Sequence, residues 1–431
     1  MDTIAIIGGG ASGLMAAVEA ARAFSKAGVA ASVVVYEADD ERVGRTILAT
    51  GNGRCNISNA HIDAGVYNDQ DFVFESLMAL RSAFFRERGK CTKRLAELDP
   101  VLERFEDMGL WVREEAEGRL YPLANKATSV LDALRATAAA LDVRIEVAKR
   151  AVRVDAPGDA GGPGACFNIR FADKTIAHAQ QVIVAVGGRA ADRIESPKPL
   201  VCSKTRPVLG PLRVIEADAR VTRQLNNVRL RCGVHLQRDG KTLATEKGEV
   251  LFRDYGLSGV AIFNLSREAC TGDRLIIDVL PDDSEGAVKE FLLARRKRMA
   301  SLVGHITWQR LCEGILLPSV ARVFLKRAGI DSEAEASRTG MPELAHMLKC
   351  TEFTVEGIGD ERQCQVRRGG FPVKLFSART CESIHIPGLF VAGEALDIDG
   401  PCGGYNLHWA WTSGMLAGHA AAANVMEQQD A

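Results

Sequence analysis

Three glycines near the start of the chain are spaced for chemistry on a phosphate. Gly8, Gly10 and Gly13 fit the pattern G-x-G-x-x-G within Gly8-Gly9-Gly10-Ala11-Ser12-Gly13. In that spacing the first glycine permits a tight turn, the second lets the backbone approach a pyrophosphate, and the third lets a helix pack closely on a strand. A helix that begins at such a turn offers free N–H groups and a partial positive charge to an anion. Glu37 follows at ~20 residues past the turn, where a ribose-binding carboxylate belongs.

Those residues work only if the flanking elements hold them. Ile4-Ala5-Ile6-Ile7 reads as a short buried strand, and Leu14 to Phe24 as an Ala-rich helix with apolar helical spacing. Ser32 to Tyr36 reads as a second strand that ends at Glu37. The order strand, glycine turn, helix, strand, acid predicts a dinucleotide site. A glycine-rich loop in an ordinary α/β domain is the plainer alternative.

The bulk numbers narrow the class. A chain of 431 residues with 47% apolar content allows two or three domains with sizeable cores. A net charge of −1 gives no electrostatic support for nucleic acid, so no nucleic-acid partner is expected. Met1-Asp2-Thr3 has no basic n-region, so the apolar start is expected to be a strand and not a signal peptide. No run of ~18 apolar residues suggests a membrane span. Eleven scattered cysteines with no C-x-x-C pair fit reduced thiols and a cytoplasmic location, and argue against a dithiol–disulfide reductase. The eight histidines form no metal-binding spacing, so no metal is expected.

Along the chain, Arg42 to Thr46 and Thr50 to Asn56 form a long polar, glycine-rich loop. Residues 71–88, 94–109 and 128–141 read as helices, with Leu120-Tyr121-Pro122 as a break. Residues 143–154 and 166–171 alternate like strands around a hairpin loop at Pro157 to Gly164. Gln181 to Val186 is a buried strand running into Gly187-Gly188. Residues 207–253 hold short alternating stretches with turn signals such as Asp239-Gly240, the pattern of an antiparallel sheet or barrel. Residues 285–330 are predicted helical, and the basic run from Glu290 to Arg298 is expected to be a solvated face. Strands return at 352–355 and 363–368. Leu389 to Glu394 is a buried strand ending in a glycine and an acid, and a final helix spans 406–425. This is a split α/β domain made from both ends of the chain, with a middle insertion.

Two long motifs carry a resemblance. Gly393-Glu394-Ala395-Leu396-Asp397-Ile398-Asp399-Gly400, followed by Gly403-Gly404-Tyr405-Asn406-Leu407-His408-Trp409-Ala410-Trp411, resembles the C-terminal signature of the BaiN/YhiN-like flavoproteins, aminoacetone-oxidase-like FAD-binding enzymes. Gly51 to Asn56 resembles that family's G-N-G-R-C-N motif. Gly256-Leu257-Ser258-Gly259 resembles its G-x-S-G turn, and Gly369-Gly370 its re-entry glycines. The resemblance implies an α/β fold: a Rossmann-like FAD-binding domain of the glutathione-reductase type, split by an inserted β-barrel-like domain and a small helical domain. The expected boundaries are 1–195 with 365–431 for FAD binding, 196–275 with 345–364 for the barrel, and 276–344 for the helices. One departure is Arg189 to Pro199, which is charged and proline-punctuated where the family has a glycine- and serine-rich stretch leading into a helix.

A flavin tolerates negative charge on reduction best at a helix N-terminus. Gly403-Gly404-Tyr405-Asn406 opens the last helix and is the element for that task. The resemblance implies cofactor contacts at Gly8, Gly10, Ala11, Ser12, Gly13, Glu37, Arg45, Thr46, Gly53, Arg54, Cys55, Asn56, Gly187, Gly393, Glu394, Gly403, Gly404, Tyr405 and Asn406. Within that set, Arg45 and Thr46 belong near the pyrophosphate or ribityl chain, and Arg54, Cys55 and Asn56 beside the isoalloxazine ring. Catalytic candidates are His408, Tyr405 and Cys55. A histidine titrates near neutral pH and could move a proton beside a flavin; a satisfied structural histidine is the alternative. Cys55 has no partner cysteine in its loop, so packing is the alternative to redox chemistry. Trp409 and Trp411 are expected to be core.

No second glycine fingerprint appears in the insertion, so NAD(P)H would visit the flavin transiently and not occupy a domain of its own. The expected enzyme is an FAD-dependent oxidoreductase acting on a small organic substrate, as a monomer or dimer. Within the family, NAD(P)H-driven reduction of an activated C=C bond is the leading expectation, on an enone, steroid or bile-acid-like compound. Oxygen-dependent oxidation of a small amine is the second. An RNA-modifying flavoprotein and a plain NAD-dependent dehydrogenase are the outlying readings.

Overall fold

The computed structural model describes residues 2–88, 99–158 and 166–430. The described chain divides into two compact units, residues 1–206 with 366–431 and residues 207–365. The expected helix over 94–109 is described as Pro100–Asp107. Its first part, and most of the hairpin loop expected at Pro157 to Gly164, lie outside the described residues.

The first unit is built on a largely parallel sheet. Asp2–Ile7 lies between Val33–Tyr36 and Ile176–Val184, and Arg144–Glu146 adds to the far side of Val33–Tyr36. The register places Ile4 opposite Val33 and Ile7 opposite Val184. Leu389–Val391, from the distant end of the chain, pairs in parallel with Ile176–Val184, setting Phe390 opposite Ile183. Every residue of Val33–Tyr36 is buried, as expected where helices cover both faces of a parallel sheet. An antiparallel pair, Ala151–Asp155 and Phe167–Phe171, extends the same sheet.

Two helices complete this core. Ala11–Ala27 leaves the first strand at the glycine turn, and Gly28 closes it in the left-handed conformation. The last helix, Tyr405–Asp430, lies directly against it. An ideal Cβ on Gly414 or Gly418 would stand 2.5 or 2.3 Å from the carbonyl oxygens of Ser12 and Ala16. No side chain separates the two helices at those points. A small antiparallel sheet of Ser58–Asn59, Arg119–Pro122 and Val112–Glu114 stands at the edge of this unit. The Leu120-Tyr121-Pro122 segment, expected as a break, is its middle strand.

The second unit is a closed antiparallel barrel of six strands, in the order Leu212–Val214, Gly256–Ser258, Lys241–Arg253, Arg229–Arg238, Arg274–Asp278 and Thr351–Ile358. Asp239 and Gly240 turn the long hairpin with φ of 50° and 73°, the type I′ geometry that matches strand twist. The helices Glu285–Val303, Trp308–Cys312, Pro318–Arg327 and Met341–Lys349 pack onto the barrel and share its core. Phe252 meets Phe324 and Phe353 with ring centroids 6.4 and 6.2 Å apart.

The basic run in the first of these helices is not uniformly a solvated face. Lys297 and Arg298 are exposed, but Arg295 Nε donates to the Leu311 carbonyl at 2.9 Å and Arg296 Nε to the Ala336 carbonyl. Half of that charge therefore satisfies loop carbonyls within the unit. Among the described residues no cluster of His, Cys, Asp and Glu could hold a metal ion. No described helix is long and apolar enough to cross a membrane.

Candidate functional site

The glycine turn between the first strand and first helix is built for close approach. An ideal Cβ on Gly13 would stand 1.9 Å from the Gly8 carbonyl oxygen, so any side chain there forces strand and helix apart. Leu14 is the residue whose N–H closes the first intrahelical bond, to the Gly10 carbonyl at 3.0 Å. The amides of Ala11, Ser12 and Gly13 precede it and are left for a ligand. No side chain caps this N-terminus, and its first turn holds no acid. The space at Gly10 is open, with Thr46 Oγ1 nearest at 3.6 Å from an ideal Cβ.

Glu37 locks the turn from the side. Its carboxylate accepts from the N–H of Gly9 at 2.7 Å and of Asp39 at 2.8 Å. Gly44 donates its N–H to the Gly9 carbonyl at 2.8 Å, which brings Arg45 and Thr46 against the same turn. The Arg45 side chain is exposed and paired with Asp39 at 2.8 Å.

A second group gathers where the two ends of the chain meet in the sheet. Gly187 has nothing within 4 Å of an ideal Cβ. Beside it, Glu394 Oε1 accepts from the Arg367 N–H at 2.5 Å, and the Gly188 N–H also supports the carboxylate. Burial pushes the Glu394 carboxyl up to about 7, against the pull of those two amides and of Arg189. Gly393 lies on the first helix, where an ideal Cβ would stand 2.5 Å from Ser12 Oγ. Its N–H is held by Ser413 Oγ at 2.8 Å.

The third group joins the polar loop to the last helix. Gly404 has φ +104°, and an ideal Cβ would stand 2.2 Å from the Ser58 carbonyl oxygen, so only glycine fits. His408 is the residue whose N–H closes the first turn, on the Gly404 carbonyl at 2.9 Å, which leaves the amides of Tyr405, Asn406 and Leu407 at the helix mouth. Asn406 ties the preceding loop together by accepting from the Gly400 N–H at 2.8 Å and donating to its carbonyl at 2.9 Å. Asn56 Oδ1 is enclosed and has no hydrogen-bond partner among the described residues. Gly53 stands in the same loop with φ +80°.

The catalytic candidates separate. His408 is 2% exposed, with Nδ1 on Ser58 Oγ at 2.8 Å and Nε2 3.9 Å from Asp99. Burial lowers its pKa, only partly opposed by Asp99, so the ring is neutral and holds Ser58 in place. That is the geometry of a positioning residue. Cys55 is fully buried, and burial pushes its thiol up to about 11, which leaves no thiolate to react. Tyr405 is half-buried, and its hydroxyl meets the His61 carbonyl at only 3.4 Å. Burial and the charge of Asp63 raise its pKa. Trp409 and Trp411 are core, donating to the carbonyls of Gly393 and Ile57 at 3.1 and 3.0 Å.

These residues fit FAD. The uncapped N-terminus of the first helix suits the pyrophosphate and the glycine-led start of the last helix suits the ring, while the open backbone at Gly10 and Gly187 would admit the chain between them. The unpartnered Asn56 oxygen is the polar group such a ligand would satisfy.

Sequence reasoning missed the partners of Arg54. Its guanidinium lies over the Tyr121 ring at 3.9 Å from the centroid, with Nη2 on Glu115 at 2.5 Å and Nε on Asn125. Those partners sit more than sixty residues away, and no local spacing announces them. The signature around Asp399 gives no sign of that residue's partner either. Asp399 is fully buried and clasped by Arg368 through two bonds, at 2.6 and 3.0 Å.

Comparison with known proteins matches nearly the whole chain. Residues 2–420 match the family model described as HI0933-like protein Rossmann domain. A 3-dehydro-bile acid delta(4,6)-reductase from Clostridium scindens is 31% identical, over 98% of this chain and 99% of the relative. Ribosomal RNA dihydrouridine synthases from Haemophilus influenzae and Escherichia coli are 24% and 25% identical, over 95% of both chains in each case.

Proposed function

The chain belongs to the HI0933-like Rossmann family, and from that premise we propose that it is an FAD-dependent oxidoreductase reducing a C=C bond conjugated to a carbonyl, with NAD(P)H as the electron source and an enone of steroid or bile-acid type as substrate. The observation that carries this reading is the end-to-end similarity to a relative named as a bile-acid reductase, on a chain with two helices that each start on a glycine, Gly10 and Gly404. When bound, FAD would supply the hydride-transfer chemistry, with NAD(P)H as the electron source.

The chain's own residues do the rest. The amides of Ala11, Ser12 and Gly13 hold the pyrophosphate, with Arg45 and Thr46 beside it, and Glu37 holds the ribose near the glycine turn. Glu394 and Gly187 line the ribityl side. The amides of Tyr405 and Asn406 would stabilise negative charge that develops on the ring, and Arg54, Cys55 and Asn56 would line it. Saturating a C=C bond also needs a proton. Tyr405 Oη is its donor: it is the half-buried phenol at the helix mouth, and its raised pKa keeps it protonated at neutral pH. His408 fixes Ser58, and through it the backbone at Gly404.

A second reading has one observation in its favour, the two full-length relatives named as ribosomal RNA dihydrouridine synthases. Saturation of a conjugated C=C bond is common to both names. Against it stands the net charge of −1. The test is single-turnover mixing. Protein reduced anaerobically is mixed with a 3-oxo-4-ene steroid, with unmodified ribosomal RNA, or with buffer. Return of the oxidised flavin spectrum with the steroid, together with a product heavier by two hydrogens, is the expected result. Reoxidation by RNA and not by the steroid would replace the first reading with the second.

A further inference from the structure

The strand Ser58–Asn59 runs past the start of the last helix, and the Asn59 side chain ties the two together. Asn59 is 4% exposed. Its Nδ2 donates to two carbonyls, those of Glu117 and Gly403, each at 3.0 Å. Its Oδ1 accepts from the His61 N–H at 2.9 Å. A carbonyl only accepts and a backbone N–H only donates, so this amide can face only one way round. Gly118 makes room for it. An ideal Cβ there would stand 2.7 Å from Asn59 Oδ1, at a φ of +70°.

The bond to Gly403 fixes a peptide that is otherwise free to turn over. Gly403 and Gly404 have φ of +124° and +104°, and the bond between them is trans. A peptide plane between two glycines turns over at little steric cost, because neither residue carries a Cβ. In a trans peptide the C=O and the following N–H point in opposite directions. While Asn59 Nδ2 holds the Gly403 carbonyl, the Gly404 N–H points away from Asn59. That N–H meets no acceptor among the described residues. It joins the amides of Tyr405, Asn406 and Leu407, which the first helical bond at His408 leaves open. Turned over, the same peptide would put a carbonyl oxygen where the N–H stands.

We propose that Asn59 is a positioning residue that raises the reduction potential of bound FAD, by holding the Gly403–Gly404 peptide with its N–H toward the ring. The assignment rests on the FAD reading and adds to it one amide donor, Gly404, and the side chain that aims it. A pre-aimed N–H is worth more to a ring that carries the negative charge left by hydride uptake than to a neutral one. It therefore favours the reduced form over the oxidised. A carbonyl oxygen in its place would favour the oxidised form.

The test measures the two-electron midpoint potential of FAD bound to the full chain, by equilibration with reference dyes, beside the melting temperature of the apoprotein. Asn59→Ala should lower the potential by ~30 mV, which is a ~10-fold loss in the preference for reduced over oxidised FAD. Asn59→Ser keeps one short donor and should lower it less; it keeps the test sound if the alanine variant does not fold. Ser76→Ala controls for lost stability alone. Ser76 Oγ donates to the Ala378 carbonyl at 2.7 Å and bonds no residue of the helix mouth. That variant should melt below the parent and keep its potential. A potential unchanged in both Asn59 variants, or an equal fall in Ser76→Ala, would overturn the assignment. Should neither Asn59 variant retain FAD, hydrogen exchange of the parent decides. Exchange of amides 404–407 should slow when FAD is added, and unchanged exchange would overturn the assignment. The underlying readings fail separately. A parent that takes up no FAD would sink the FAD reading and the Asn59 role with it. The expected shift on a protein that NAD(P)H never reduces would sink only the nicotinamide-driven reductase.

Discussion

The helices Ala11–Ala27 and Glu285–Val303 begin in opposite ways. The second starts as an ordinary surface helix does: Ser284 accepts from the Ala287 N–H at 3.2 Å, and Glu285 puts a negative charge in the first turn. The first starts on glycine, has neither a capping side chain nor an acid, and is buried from Ala11 to Ala21. A helix end leaves four N–H groups to satisfy, and burial without partners is costly. The helix at Ser284 satisfies its amides from its own sequence. The helix at Gly10 has no such cap of its own and leaves its first amides open to an anion.

That contrast can be broken most severely at Gly13. Gly13→Val would place side-chain atoms against the Gly8 carbonyl, where even a Cβ stands at 1.9 Å. A loss of ~3 kcal/mol or more is expected, with flavin binding abolished, and urea unfolding of the apoprotein checks it.

Gly10→Asp sharpens the comparison. Gly10 has the extended backbone of an N-cap, φ −81° and ψ −164°, with open space around an ideal Cβ. An aspartate there gives this helix the kind of start the other one has. The apoprotein should melt at the same temperature or slightly higher, since Gly and Asp caps differ by only a few tenths of a kcal/mol. FAD affinity should fall ~30-fold or more, the ~2 kcal/mol a partly buried helix end gives an anion. Fluorescence titration with FAD checks it; unchanged affinity would show that the phosphates lie elsewhere.

His408 makes a smaller, pH-dependent contribution. Its folded pKa is lowered by burial, so the unfolded chain takes up its proton more readily. The associated stability is present above the unfolded value, ~6.5, and is lost as pH falls below it. Urea midpoints of the parent should therefore drop more between pH 7 and pH 5 than those of His408→Asn. Ser284→Ala is the smallest change. It should cost ~1 kcal/mol, the usual worth of such a cap, and leave FAD affinity unaltered.

The parts legible in the sequence are those whose constraints are local. Gly8, Gly10 and Gly13 are fixed by backbone geometry within six residues, and Glu37 by the end of the next strand. The last helix and Gly404 announce themselves by glycine followed by apolar spacing. The long-range parts were not legible. Arg54 finds Tyr121, Glu115 and Asn125 across sixty or more positions, and Leu120-Tyr121-Pro122 shows too short a pattern to mark a strand. The same holds for Arg104. It is 2% exposed yet ion-paired with Glu19, Glu87 and Asp107, at 2.5, 2.9 and 3.0 Å. Asp107 lies one helical turn away, but Glu19 and Glu87 are remote in sequence and give no local sign that the Arg104 charge is neutralised in the core. Arg295 and Arg296 carry the same lesson, since a basic run shows its charge in sequence but not the carbonyls it will meet.

The central claim is that the two glycine-led helix ends hold a flavin that a nicotinamide can reduce. The direct measurement follows the visible absorbance of the FAD-supplied protein anaerobically while NADH and then NADPH are added. Bound flavin that bleaches with one of them is the predicted result. A flavin that stays oxidised with both would contradict the nicotinamide-driven reductase, and protein that takes up no FAD at all would contradict the site itself.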